Sequence, residues 1–286
     1  MKFLTSITIL GHFISFVCHG AIGLANNDKS SANINQAILV SHGVLSELTL
    51  QKLKSALPVH RISVQDPYEK DLIELEGFAF LAVLDLSFGT QWREWNHLQI
   101  NCLDGYEVLI PVKNVIQNHP WLAFRRVDSQ KFKLIRRDLL PSREIDLSPF
   151  YLVWNSSSEP QMKDTSVFPW PFQISQMGPM KASKTAAQPV IRYGASKNVI
   201  QGFSLFQSHC MNCHSINGKG GKVGPELAHP RSPTEYWNRK FLKMWVLQPT
   251  SIRSDAKMPA FDENIPEREK KVDQILDYLS DLASHR

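Results

Sequence analysis

Two cysteines and a histidine in the last third of the chain have types and a spacing that could do chemistry. Cys210, Cys213 and His214 form a C-x-x-C-H pentapeptide. Such a group can act as a thiol redox pair, as half of a zinc site, or as the point where a haem is covalently attached. The rest of the sequence has to decide among these three chemistries.

Zinc binding and thiol redox chemistry find little support elsewhere in the chain. A zinc site needs two further ligands at matching spacing, and the chain offers Cys102 and scattered histidines but no second pair. A thioredoxin-like pair follows a strand, whereas the segment before Cys210 carries apolar residues at helical spacing, namely Val199, Ile200, Phe203 and Phe206. The pattern therefore favours thioether attachment of a haem at Cys210 and Cys213, with His214 as the proximal iron ligand.

From about Val199 to Arg286 the chain resembles a class I cytochrome c. Gly202 and Phe206 precede the pentapeptide at the point where the first helix of that family crosses the last one. The segment EREKKVDQILDYLSDLA predicts this last helix, with Tyr278 placed to pack near Phe206 and with one apolar face made of Val272, Ile275, Leu276, Leu279 and Leu282. The segment EYWNRKFLKMWVL predicts a further helix over residues 235–247, and the resemblance implies an all-α domain.

The same resemblance implies the other haem contacts. Gly224 and Pro225, in KVGPEL, match a turn that lies against the haem edge, and Met258, in DAKMPAF, matches the axial ligand opposite His214. Thioether ligation raises the reduction potential, and a six-coordinate iron has no open position for a substrate. We therefore expect one covalent haem c that exchanges electrons with a protein donor and a protein acceptor. The alternative sixth ligands are His209 and His229.

The first 25 residues are typical of a secretory signal. Lys2 precedes an apolar run over residues 3–17, and small residues follow, so cleavage is expected after Ala21 or Ala25. An uncleaved membrane anchor is the alternative, although several polar side chains dilute the run. We expect an exported, periplasmic protein that contacts a membrane only if this segment remains attached.

Length and composition limit the possible functions. The 286 residues are enough for two domains with separate cores, and 43% hydrophobic and 21% charged residues are typical of globular proteins. The net charge of +5 comes without a basic cluster interleaved with aromatic residues, so a nucleic-acid partner is not expected. Signal removal would leave three of the four cysteines, an odd number that argues against a disulfide framework.

Residues 32–178 predict a β-rich α+β domain. Strand-like runs include HRISV, LIELEG, HLQINCL, YEVLIPV and FYLVW, and the segments SELTLQKLKSAL and FAFLAVLDLSFG predict helices. The order of these pieces resembles the pterin-binding domain of the sulfite oxidase type, on three stretches: Asp104, Gly105 and Tyr106 leading into EVLIPVKNVI, then PFYLVWN, then WPFQISQM.

That second resemblance implies a cysteine thiolate on molybdenum and basic residues for the pterin phosphate. Cys102 lies in an alternating apolar strand, whereas the ligand cysteine of the family lies in an earlier loop rich in Gly, Asn and Arg, so we expect a buried core cysteine. The arginine pairs 125–126 and 136–137 are candidates for phosphate contact, and solvated faces are the alternative.

The expected architecture is thus multidomain, with a signal over residues 1–25, the α+β domain, a flexible linker over residues 179–198 and an all-α cytochrome c domain over residues 199–286. The expected function is electron transfer by an exported monohaem cytochrome, with an N-terminal docking or ligand-binding domain that is not catalytic. The alternative is a molybdenum-cofactor oxidoreductase that oxidises a small oxyanion such as sulfite and passes electrons to its fused cytochrome.

Overall fold

The computed structural model describes residues 38–41, 47–137, 139, 141–157, 162, 164–180 and 191–285. The predicted signal segment and positions 181–190 of the predicted linker lie outside these residues. Within them, no helix combines the length and the apolar character needed to cross a membrane.

Residues 32–178, called the N-terminal part below, are rich in strands. The elements in chain order are β1 (Ile38–Ser41), β2 (Glu47–Thr49), α1 (Leu50–Ala56), β3 (His60–Gln65), β4 (Leu72–Ala79), α2 (Phe80–Phe88), a 3-10 turn (Thr90–Glu94), β5 (His97–Cys102), β6 (Glu107–Pro111), α3 (Val112–Asn118), β7 (Trp121–Arg126), β8 (Lys133–Arg136), β9 (Arg143–Asp146), β10 (Tyr151–Val153) and β11 (Ile174–Pro179). The prediction of a β-rich region is confirmed, whereas a pterin-binding type of fold remains a prediction.

These strands form three sheets. One has the order β2-β1-β11-β5-β6, a second has the order β10-β7-β4-β3, and β8 pairs with β9 alone. The pairing of β1 with β11 is parallel and the other pairings are antiparallel. β5 shows the expected alternation, because Leu98, Ile100 and Cys102 are buried and the residues between them are not.

Residues 199–286, called the C-terminal part below, are mainly helical. The elements are α4 (Lys197–His209), β12 (Ser215–Ile216), β13 (Lys219–Gly220), α5 (Pro233–Tyr236), α6 (Arg239–Leu247), α7 (Pro249–Ile252) and α8 (Arg268–Ser284). The predicted last helix is present as α8. The short hairpin of β12 and β13 is a departure from the all-α expectation, since Asn217 and Gly218 both have positive φ and close a tight turn.

Two segments that the sequence pattern predicts as single helices are interrupted. Residues 46–57 contain β2 before α1, because Thr49 is extended and its hydroxyl accepts a hydrogen bond from Lys52 N as the helix cap. Residues 235–247 are divided between α5 and α6, because Asn238 Oδ1 accepts from Lys240 N at 2.8 Å and begins a new helix there. Side-chain caps thus override a helical hydrophobic pattern at both places.

The two parts bury separate hydrophobic clusters. In the N-terminal part the cluster is centred on large side chains such as Trp92, Trp154 and Trp170, which are fully buried. In the C-terminal part it joins α4 to α8, and Phe206 lies 5.7 Å from Tyr278 between ring centroids. The expected contact of Phe206 with Tyr278 is present.

The crossing of α4 and α8 depends on a glycine. A Cβ added at Gly202 would lie 1.9 Å from the main-chain oxygen of Gln274 and 3.0 Å from Tyr278 Cβ. Main-chain atoms of a packed helix cannot move as a flexible side chain can, so the close approach requires a residue without a side chain at this position.

We therefore expect Gly202→Ala to lower the free energy of unfolding by about 1–3 kcal/mol, because the overpacking cost exceeds the ~1 kcal/mol that alanine gains in a helix. Denaturant unfolding of the purified protein measures this change. Ser204→Ala, at an exposed position of the same helix, is the control and should stay within about 0.5 kcal/mol of the parent. Equal stability of the two variants would contradict the packing argument.

Candidate functional site

The C-x-x-C-H residues follow directly on the end of α4. The helix ends at His209, Cys210 is its C-terminal cap, and the carbonyl of Cys210 accepts hydrogen bonds from Cys213 N at 3.1 Å and His214 N at 2.9 Å. A single turn therefore carries both thiols and the imidazole. Cys210 and Cys213 are free, partly buried thiols. We call residues 210–214 the attachment segment.

Both thiols of the attachment segment are held in their protonated form. Burial raises the pKa of Cys210 to about 12 and, with a smaller contribution from the negative charge of Asp104, that of Cys213 to about 11. Redox-active cysteines instead have a lowered pKa that supplies the nucleophilic thiolate. The electrostatics therefore agree with the sequence argument against a thiol redox pair.

The ring of His214 is oriented by a main-chain carbonyl. Its Nδ1 lies 2.8 Å from the oxygen of Pro225, and because a carbonyl only accepts, Nδ1 carries the proton and donates it. Burial lowers the pKa of His214, which favours the neutral imidazole. Nε2 then has a lone pair available for a metal, the arrangement that histidine ligands normally show.

Gly224 and Pro225, the predicted pocket turn, lie against this imidazole. Gly224 N donates to the carbonyl of Cys213 at 2.8 Å, and a Cβ at Gly224 would come within 2.3 Å of His214 Cε1. A side chain at position 224 would displace the ring. The structure therefore brings five of the six predicted site residues into one neighbourhood, namely Cys210, Cys213, His214, Gly224 and Pro225.

An acidic residue that the sequence analysis did not single out holds this loop together. The carboxylate of Glu226 accepts hydrogen bonds from the main-chain nitrogens of Asn217 and Ala228, both at 2.9 Å, and of Gly218 at 3.1 Å. The Glu226 carboxylate thereby connects the β12–β13 turn to the segment after Pro225 by hydrogen bonds. Glycines followed by one acidic residue in NGKGGKVGPE are the sequence signal that could have indicated this role.

Met258 lies in a loop between α7 and α8 that reaches the same hydrophobic cluster. Residues 253–261, called the methionine loop below, are fixed at their end by Phe261 N, which donates to Val246 O at 3.0 Å, and by Arg268 Nε, which donates to Phe261 O at 2.7 Å. Met258 and Cys210 are both partly buried and both pack against the C-terminal cluster. The thioether and the attachment segment thus share one apolar environment.

The two alternative histidines have different surroundings. The ring of His209 packs on Phe261 with 5.1 Å between centroids, and burial lowers its pKa. His229 is exposed. His209 is therefore next to the methionine loop, whereas His229 faces solvent.

Three aromatic side chains, from the C-terminal cap of α5 and from α6, contact one another and were not singled out in the sequence. Trp237 makes edge-to-face contacts with Phe241 at 5.1 Å and with Trp245 at 5.6 Å, and it packs against the same cluster as Met258. The spacing of four residues between Phe241 and Trp245 places these two side chains on one face of α6 and is the signal that could have found them.

The N-terminal part contacts the attachment segment directly. The turn between β5 and β6 supplies Gly105 O, which accepts from Lys222 N at 2.8 Å, and Glu107 N, which donates to Asn212 O at 3.1 Å. Asn212 Nδ2 in turn donates to the hydroxyl of Tyr106 at 3.1 Å. The stretch 104–106, singled out in the sequence for its likeness to a pterin-binding domain, therefore lies against the residue that precedes Cys213.

The residues considered for molybdenum and pterin have other partners. Cys102 is buried at the end of β5, and burial raises the pKa of its thiol far above the usual range. Three of the four arginines considered for phosphate contact form ion pairs with carboxylates, namely Arg125 with Glu76, Arg126 with Glu69 and Asp128, and Arg137 with Asp71. The fourth, Arg136, lies over the ring of Tyr68. In the described ranges, no three His, Cys, Asp or Glu side chains gather into a group that could hold a metal ion.

Comparison with known families identifies the C-terminal part. The family model for cytochrome c matches residues 199–283. No curated protein matches the chain. The C-terminal part is thus a cytochrome c domain, which implies a covalently bound haem c, electron transfer and redox proteins as partners. The donor set fits that group, because two thiols and an imidazole with a free Nε2 stand within one turn.

Proposed function

We propose that this protein is an exported monohaem cytochrome that transfers electrons through a haem attached to Cys210 and Cys213 and ligated by His214 and Met258. The observation that carries the proposal is the hydrogen bond from His214 Nδ1 to Pro225 O. It fixes the tautomer and the direction of the imidazole immediately beyond two thiols on the same turn.

Each residue of the site has a separate task in this proposal. When bound, the haem supplies a one-electron couple at its iron. Cys210 and Cys213 hold it in place, and His214 gives a neutral nitrogen ligand of defined orientation. Gly224 lets the main chain approach the imidazole closely enough for Pro225 O to accept its proton.

Met258 is the proposed sixth ligand. A neutral thioether stabilises ferrous over ferric iron, so the site would work at a raised potential. Partial burial of Met258 in the C-terminal cluster supports this role, because an apolar environment limits the access of water that would compete for the position. Trp237, packed on the same cluster, is a further candidate for the wall of the pocket.

We further propose that the N-terminal part is a docking or ligand-binding domain and not a catalyst. The burial of Cys102 among the apolar side chains of the N-terminal cluster supports this assignment, since a molybdenum ligand has to be accessible to the cofactor. The ion pairs that occupy Arg125, Arg126 and Arg137 support it as well, because a phosphate would have to displace their carboxylate partners.

A molybdenum-cofactor oxidoreductase with a fused cytochrome is the second candidate. It is favoured by one observation, the hydrogen bonds of the 105–107 turn to Asn212 and Lys222. An oxidising domain has to lie close to the haem that takes its electrons, and this turn does lie next to Cys213.

Export is proposed from the first 25 residues, which lie outside the described residues.

Removing one thiol should remove one thioether. In Cys210→Ala or Cys213→Ala we expect haem that is held by a single bond or lost, as measured by the mass of the denatured chain and the reduced visible spectrum. Cys102→Ala leaves both thiols in place and is the matched control, which should keep normal attachment. Two intact thioethers in either of the first two variants would refute the assignment.

Replacing the proposed sixth ligand should change the potential but not the attachment. We expect Met258→Ala to keep its haem and to lower the reduction potential by about 0.1 V or more, a fraction of the ~0.8 V range that axial ligands span. Met244→Ala removes an exposed methionine from α6 and should leave the potential unchanged. An unchanged potential and spectrum in Met258→Ala would assign the sixth position to another residue, with His229 and then His209 tested next.

A further inference from the structure

A side chain from the N-terminal part bonds to the main chain just before Met258. Arg143, the first residue of β9, donates from Nη2 to Asp255 O at 2.7 Å and to Ala256 O at 3.1 Å. Both acceptors belong to the methionine loop, three and two residues before the proposed ligand. They are 112 and 113 residues away from Arg143 along the chain.

The acceptor end of this contact is well defined. Ala256 is only 5% exposed, and its nitrogen donates to Arg253 O at 3.0 Å. The carboxylate of Asp255 is engaged by Arg253 Nε at 2.7 Å, so its main-chain oxygen is turned toward Arg143 while its side chain is held by a neighbour. The start of the methionine loop is therefore a folded turn, and Arg143 adds two hydrogen bonds to it from outside the loop.

The donor end is equally well defined. β9 pairs with β8 over four residues, and Lys133 Nζ in β8 bonds to Glu144 Oε1 at 2.6 Å. Arg136, which stands opposite Arg143 in this pairing, lies 4.1 Å over the ring of Tyr68. Arg143 is thus carried by a hairpin whose position does not depend on the methionine loop.

The N-terminal part consequently forms hydrogen bonds with both segments that carry a proposed iron ligand, His214 in one and Met258 in the other. The turn after β5 bonds to Asn212 and Lys222 beside His214, and Arg143 bonds to the start of the methionine loop. The two proposed iron ligands come from segments more than forty residues apart, and the N-terminal part fixes the position of one relative to the other. Charge-assisted hydrogen bonds of this kind are stronger than neutral ones.

We infer that Arg143 is a positioning residue for the sixth iron ligand, so that the N-terminal part holds Met258 in place for the iron of the C-terminal part. The inference rests on the proposed function, because it presupposes haem attachment at Cys210 and Cys213 and ligation by Met258. A thioether is a weak, neutral ligand, and its occupancy depends on how firmly the chain presents it.

Competition by imidazole tests this role on the full-length, haem-loaded protein. Added imidazole binds ferric iron only where Met258 leaves it, so loss of two charge-assisted hydrogen bonds in Arg143→Gln should increase the affinity for imidazole about tenfold. The methionine-to-iron charge-transfer band should weaken and the reduction potential should fall. Arg143→Lys retains the charge and one donor and should give an intermediate affinity.

Arg125→Gln is the matched control. Arg125 also belongs to the N-terminal part and makes a bidentate ion pair, but with Glu76 of β4. Its replacement removes a comparable interaction without touching the methionine loop and should leave imidazole affinity, band and potential at parental values. If Arg125→Gln and Arg143→Gln change the imidazole affinity equally, Arg143 has only a structural role and the inference is overturned.

The outcomes separate this inference from the proposed function. Suppose that the parent protein shows methionine ligation and that Arg143→Gln keeps the parental imidazole affinity, charge-transfer band and reduction potential. This result overturns the inference and leaves the proposed function intact. A parent protein without covalent haem or without the methionine band overturns the proposed function, and the inference with it. Should Arg143→Gln fail to retain haem, the graded response of Arg143→Lys decides, since a parental imidazole affinity there overturns the inference.

Discussion

The hydrogen bond between His214 Nδ1 and Pro225 O is the contact around which the C-terminal part is arranged. The main chain at Gly224 lies so close to the imidazole ring that a Cβ at this position would clash with it. The carboxylate of Glu226 accepts hydrogen bonds from the β12–β13 turn and so connects the segment after Pro225 to that turn. The consequence is a neutral imidazole with a free Nε2 and one orientation. Two protonated thiols on the same turn then make covalent attachment of a haem the chemistry that suits these residues best.

The packing of α4 on α8 stabilises the position of the attachment segment, which follows directly on α4. Gly202 allows the two helices to approach main chain to main chain, and the aromatic contacts of Phe203 and Phe206 with Tyr278 fill the crossing. Because Cys210 caps α4, any shift of that helix would be transmitted to the attachment segment. The N-terminal part also bonds to the same segment and to the methionine loop, so it holds the site together with the packed helices.

Local features of the site could be predicted from the sequence, whereas contacts between distant segments could not. The C-x-x-C-H spacing is a short motif and the apolar face of α8 follows from helical periodicity, whereas the pairing of Phe206 with Tyr278 follows from the resemblance to a class I cytochrome c. The break between α5 and α6 was missed because the capping of Asn238 competes with an uninterrupted apolar pattern. The bonds of Gly105 to Lys222 and of Arg143 to Ala256 join residues more than one hundred positions apart, and no local pattern encodes them.

We propose that the chain carries one covalent haem and that its N-terminal part holds no metal cofactor of its own. The iron and molybdenum contents of the purified full-length protein, together with its reduced visible spectrum, test this proposal. The protein should be exported by a host that attaches haem and makes the molybdenum cofactor. We predict one iron per chain, a c-type reduced spectrum and no molybdenum. Stoichiometric molybdenum, or a chain without covalent haem, would contradict the account.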